Sequence, residues 1–101
     1  MTKNKTAVSH EASLIEELRN DPEFCAEYLK AAIEDTDEPA VLLIALRHVA
    51  EARGGIAKVA KAAGIERESL YRALSSRGNP RFSTLVAVAK AVGLKITLEA
   101  A

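Results

Sequence analysis

Tryptophan is absent from this 101-residue chain, aromatic residues make up only 4% of it, and cysteine occurs once, as Cys25. A lone cysteine closes no internal disulfide and builds no cysteine-based metal site. With apolar neighbours at helical spacing, Cys25 reads as a small packing residue rather than a nucleophile. Scarce aromatics, beside a 49% apolar share resting on Ala, Leu, Val and Ile, suit small helices in close contact better than a β-sandwich. No apolar run approaches the roughly 18 to 20 residues that span a bilayer, and the opening MTKNKTAVSHEAS lacks the apolar core of a secretion signal. A cytoplasmic protein with no membrane partner is therefore expected. Histidine is also scarce: His10 and His48 stand apart, no Ser-His-Asp or paired-carboxylate grouping stands out, and no glycine-rich phosphate loop follows a strand. That pattern argues against an enzyme, and it suggests neither a cofactor nor a bound metal.

Net charge is missing too, with 14 basic and 14 acidic side chains, but its absence is a cancellation. Residues 1–46 carry four basic and ten acidic groups, and residues 47–101 carry ten and four, so the halves stand at −6 and +6. Such asymmetry suggests two faces with different partners, the basic one suited to a polyanion. The alternative is that the halves attract each other.

Proline and glycine divide the chain into short helical pieces. Residues 1–12 read as a loose tail, and Ser13 with Glu16 three residues later resembles a capping box opening a short helix. Asp21 can cap the next helix, with Pro22 at its first position, and Phe24, Tyr28, Leu29 and Ala32 then recur at helical spacing. A second stop before Pro39 opens a helix with the stripe Leu42, Ala45, Leu46 and Val49, ending at Gly54-Gly55. Two short helices follow around Gly64, and a last one is expected to be capped by Ser83 and closed by Gly93. Residues 94–100, LKITLEA, alternate with period two like a half-buried strand. A single strand cannot make a sheet, so its backbone must find a second copy of the chain, another protein or water. The expectation is an all-α chain of five to six short helices with a short C-terminal strand pairing across a dimer. It divides into a tail (1–12), an acidic helical extension (13–38) and a basic domain (39–101).

The informative stretch is IAKVAKAAGIERESLYRALS, residues 56–75. Gly64 sits where two helices need a tight turn and a residue without Cβ can take positive φ. Ala60 is small where the helices would cross, and Val59, Ala63, Ile65, Leu70 and Ala73 are apolar where a helix-turn-helix buries its inner side. With the second helix starting near Glu66, the side chains of Arg67, Glu68, Tyr71, Arg72 and Ser75 point outward. Forked donors and a carboxylate are what base edges require: arginine donates twice to guanine, and a carboxylate accepts from a cytosine amino group. Arg67, Glu68, Tyr71 and Arg72 are the candidate base readers. A tyrosine there can touch a phosphate, meet a thymine methyl or shield a core neighbour with its ring. Lys58, Lys61, Ser75, Arg77, Asn79 and Arg81 surround this surface and suit phosphates. Turn amides near Gly78, Asn79 and Ser83 can add donors.

GIERESLYRALSSRGNPRFSTLVAVAKAVGLKI, preceded by DPEFCAEYLKAAIED and LLIALRHVAEARGG, resembles the antidote proteins of addiction (toxin–antitoxin) modules, a helix-turn-helix group related to phage (Xre-type) repressors. The similarity runs from about residue 20 to 98. It implies a homodimer that neutralises a small basic toxin, typically ribonuclease-like, and represses the shared operon by binding double-stranded operator DNA. On this chain the family's DNA-reading positions fall on Arg67, Glu68, Tyr71 and Arg72. Many relatives cap the recognition helix with Ser where this chain has Glu66, and the Gly54-Gly55 pair loosens the preceding turn. By analogy, the acidic side chains Glu23, Glu27, Glu34 and Asp35 would meet the toxin's basic surface. Two rival readings stand beside this one: a free-standing repressor without a toxin, and an interaction module that has lost DNA binding.

Overall fold

Six helices follow one another: α1 (Thr2–Asn20), α2 (Pro22–Glu34), α3 (Pro39–Ala52), α4 (Ile56–Ala63), α5 (Arg67–Ala73) and α6 (Phe82–Ala91). The computed structural model of the chain describes residues 2–34 and 37–101, and among these no residue is in a strand.

The expected breaks at Pro22, Pro39 and Gly64 hold. Asp21 caps α2, its Oδ1 accepting from the Phe24 amide at 3.1 Å while Pro22 opens the first turn. Pro39 opens α3 behind an extended Glu38. Gly64 closes α4 in the left-handed region at φ 71° and ψ 30°, and the Ile65 amide reaches back to the Ala60 carbonyl at 2.9 Å.

Three expectations are corrected. The helix expected to begin at Ser13 already runs from Thr2, because no glycine or proline precedes Pro22; Ser13 and Glu16 lie inside it, and the segment read as a loose tail is helical from residue 2. Ser83 does not cap α6, which starts one residue earlier: Arg81, in extended backbone, holds the N-cap position without a side-chain hydrogen bond. Residues 94–101 are in no strand within the single chain, where no second strand lies among the described residues, and Ile96 and Leu98 are 45% and 96% exposed.

α3 is the joint of the fold. α1 and α2 pack on it and on each other, while α4 packs on its far end and carries α5 and α6. A single apolar cluster threads all six helices, from Leu18 and Cys25 through Leu43, Leu46 and Val49 to Val59, Leu70 and Val88. The stripe foreseen on α3 is the one buried, with Ala45, Leu46 and Val49 in the core and Leu42 half-buried. Cys25 is fully buried and its thiol donates to the Leu18 carbonyl at 3.0 Å. Burial pushes that thiol above its ordinary pKa, the nearby Arg53 guanidinium opposing the shift and Asp21 adding to it.

Three polar contacts tie the N-terminal helices to α3 among the described residues. The Tyr28 hydroxyl and His48 Nδ1 lie 2.8 Å apart, and His48 Nε2 faces Glu11 Oε1 at 3.7 Å. With its proton on Nε2, the imidazole accepts from Tyr28. Arg53, at the C-cap of α3, donates to the Arg19 carbonyl at 3.4 Å, and its other terminal nitrogen lies near Gly93 beyond α6. The guanidinium thus meets the carbonyl end of α1, where the helix dipole favours positive charge.

Candidate nucleic-acid interface

α5 has seven residues, and its apolar side fixes which way its polar side faces. Leu70 and the following Leu74 are both 0% exposed, seated in the core, so Arg67, Glu68, Tyr71 and Arg72 must project outward. All four are exposed, Tyr71 at 60%. The ring of Tyr71 stands largely in solvent.

The backbone of α5 lies against α4, with neither α1 nor α2 beside it, while Leu70 and Leu74 seat it in the shared core. The acidic half leaves the ridge uncovered. The turn between α4 and α5 works as the sequence suggested, with Val59 and Ala60 buried, Ala63, Ile65 and Ala73 half-buried, and Gly64 supplying the positive φ. α5 starts from Glu66 in extended backbone, and that side chain makes no capping hydrogen bond, as the replacement of the usual serine implied.

Lys58 and Lys61 lie exposed on α4, and Arg77, Asn79 and Arg81 lie exposed between α5 and α6. Among the described residues no ion pair or side-chain hydrogen bond engages Arg67, Arg72, Arg77 or Arg81. Arg19, by contrast, pairs with Glu16 at 2.8 Å. Ser75 is differently placed from the other phosphate candidates: it is half-buried, and its hydroxyl donates to the Arg72 carbonyl at 2.7 Å, helping to close α5. The hydrogen a phosphate would need is already committed.

Gly78 makes the turn between α5 and α6 tight enough to keep Arg77 and Asn79 near α5. A Cβ there would fall on the Ala73 carbonyl, with the carbonyl carbon at 2.6 Å and the Arg72 oxygen at 2.8 Å. Two features carried no sequence signal. Arg19, from α1, joins Arg53 and Lys58 around a hollow at the α3–α4 turn that Glu51 also lines. Phe82, at the first position of α6 beside Arg81, is 69% exposed.

The acidic candidates lie elsewhere. Glu23, Glu27 and Glu34 are exposed on α2, and Asp35 lies outside the described residues. No helix of the described chain is long and apolar enough to cross a membrane.

Residues 10–100 match the family model described as "probable addiction module antidote protein". A 72-residue stretch, 71% of this chain, is 40% identical to an uncharacterized protein of Haemophilus influenzae and covers 72% of that protein. No solved structure matches the chain. The chain belongs to the family of probable addiction module antidote proteins.

Proposed function

We propose that this antidote neutralises a small basic toxin and represses its own operon, with α4, the Gly64 turn and α5 acting as a helix-turn-helix on operator DNA. The observation that carries the DNA half of this reading is the α5 ridge: Arg67, Glu68, Tyr71 and Arg72 stand exposed, unpaired with the acidic half and clear of α1 and α2. A seven-residue helix with its apolar side in the core and its outer face clear of α1 and α2 presents that face to a groove. Arg67, Glu68, Tyr71 and Arg72 read bases. Lys58, Lys61, Arg77, Asn79 and Arg81 hold phosphates, while Ser75 serves the helix end instead.

Two copies would place their α5 helices in major grooves about 34 Å apart, so the operator is a palindrome with half-sites one helical turn apart. The exposed Ile96 and Leu98 support pairing of the C-terminal segments in that dimer. The cytoplasm, where operator and toxin both reside, is the place of action.

Duplex DNA from upstream of the gene provides the test. Affinity should fall steeply as salt rises, since each neutralised phosphate releases counterions. Arg67→Ala with Arg72→Ala should erase the preference for that sequence over an unrelated duplex, at about 1 to 3 kcal/mol per lost base contact. Retained preference in the double variant would refute α5 as the reader. Deleting residues 95–101 and measuring mass in solution tests the dimer.

A further inference from the structure

Three large apolar side chains lie uncovered around one end of the α2–α3 hairpin. Ile33, next to last in α2, is 61% exposed, and Val41 and Ile44, in the first turns of α3, are 40% and 43% exposed. α2 ends at Glu34 and α3 begins at Pro39, and the two helices pack on each other. Val41 and Ile44, three residues apart, share the face of α3 opposite the buried Leu43 and Leu46. Solvent-facing helix positions favour lysine or glutamate; β-branched apolar residues there cost helix propensity and gain nothing unless something covers them.

The charges around the patch indicate what that something is. Glu23, Glu27 and Glu34 line the exposed side of α2, and Asp37 is exposed in the link; Lys30 and Arg47 are the basic side chains on the exposed positions of the two helices. A second copy packed here about a two-fold axis would set Glu34 and Asp37 of one copy near those of the other. DNA is repelled by the same sign. A basic protein surface with an apolar centre fits on both counts.

We infer that Ile33, Val41 and Ile44 form the apolar centre of the toxin-docking surface, with Glu23, Glu27 and Glu34 as its acidic rim. The inference rests on the antidote reading above and adds to it the residues that hold the complex together. In such an interface the desolvated centre sets the lifetime, and the charged rim sets the rate and salt dependence of encounter. Because two of the three centre residues lie on α3, the helix against which α4 packs, the toxin would sit on the framework that carries the DNA ridge.

The test uses the full-length chain and the purified product of the gene adjacent to its own. Ile33→Ser with Ile44→Ser should weaken binding on the order of 100-fold, mainly through faster dissociation, and the loss should persist at high salt. Glu27→Lys with Glu34→Lys should instead slow association and flatten its salt dependence. Duplex DNA binding and the helical circular dichroism signal, unchanged in both variants, show that the fold is intact. Val41→Thr, which keeps the shape and exchanges one methyl for a hydroxyl, is a gentler second variant expected to weaken binding in the same sense. If wild type binds the neighbouring product and the Ile33/Ile44 variant binds it equally well, the inference is overturned. It is overturned too if that variant leaves toxin affinity intact but turns a dimer into a monomer, which would make the patch a seam between copies. Failure of wild type itself to bind would overturn the antidote reading, and this inference with it.

Discussion

Replacing Gly64 by alanine isolates a single backbone term at the turn that aims α5. Gly64 sits at φ 71° and ψ 30°, inside the left-handed region. A Cβ built there meets nothing within 4 Å, so no steric collision adds to the change. Left-handed backbone costs an alanine about 1 to 2 kcal/mol. The stiffer unfolded chain returns about 0.4 to 1 kcal/mol. The net loss is about 1 kcal/mol, or about 4 to 8 °C in melting temperature for a domain of this size. Against a total of about 5 to 15 kcal/mol the protein stays folded. Gly64→Asn should cost less than Gly64→Ala, because asparagine tolerates this conformation best among residues with a side chain. Urea denaturation of the three proteins at one pH, with the slopes compared, is the measurement. Duplex affinity of the folded alanine variant should stay close to wild type, since the amides of Gly64 and Ile65 keep their bonds to Lys61 and Ala60. An alanine variant as stable as wild type would mean that residue 64 does not hold this conformation. A loss beyond about 3 kcal/mol would exceed the backbone term and mean that the turn is sterically closed.

Gly78→Ala should cost more than Gly64→Ala despite ordinary backbone angles, because its Cβ collides with the Ala73 carbonyl and no flexible side chain can yield; urea denaturation of the two variants side by side gives the order. On the alkaline side, Cys25 and Tyr28 both have pKa values raised by burial, with Glu11 adding to the shift at Tyr28. The folded state therefore holds these protons longer than the unfolded one, so their contribution is complete below their ordinary values of 9.0 and 10.0 and is lost as pH rises through the folded values. Urea midpoints should fall from about pH 9 upward, and Cys25→Ala should flatten the first part of that fall. Arg53→Met keeps the stem and removes the charge that meets the carbonyl end of α1; it should cost about 1 kcal/mol, with amide exchange rising first at the last turn of α1.

Punctuation made most of the fold legible. Asp21-Pro22, Pro39 and Gly64 each act locally, through a cap, a fixed φ or a missing Cβ, and the helices begin or end at those positions. Burial of Val59, Ala60 and Leu70 followed from spacing about Gly64, and with it the outward aim of Arg67, Glu68, Tyr71 and Arg72. The start of α1 was not legible, since a run without glycine or proline gives no boundary, and Ser13 with Glu16 imitates one. Alternation at Ile96 and Leu98 reports only that a strand would be amphipathic, whereas a strand exists only when a partner does. The Tyr28–His48–Glu11 contact joins three helices at sequence separations with no local signature. Ser75 looked like a free hydroxyl because a sequence cannot show that the nearest acceptor is the Arg72 carbonyl.

Cutting the chain before Pro39 is the direct way to ask whether the acidic extension meets the toxin, but the packing makes that cut uninformative. Leu18 and Cys25, both 0% exposed, belong to the same cluster as Leu43, Leu46 and Val49, and Phe24, Tyr28 and Leu29 pack against it. Burying a large apolar side chain contributes about 1.5 to 3 kcal/mol, less where burial is partial. Losing these residues together therefore removes an amount comparable with the whole net stability of about 5 to 15 kcal/mol. The cut also strips His48 and Arg53 of their partners on α1 and α2. A truncated chain would lose toxin binding and DNA binding alike, whichever surface did the work. The extension is half of the core that fixes α3, and α3 is what α4 and then α5 rest on. Only exposed side chains can be changed on one surface at a time, which is why Ile33, Ile44, Arg67 and Arg72, and not the helices that bear them, separate the two activities.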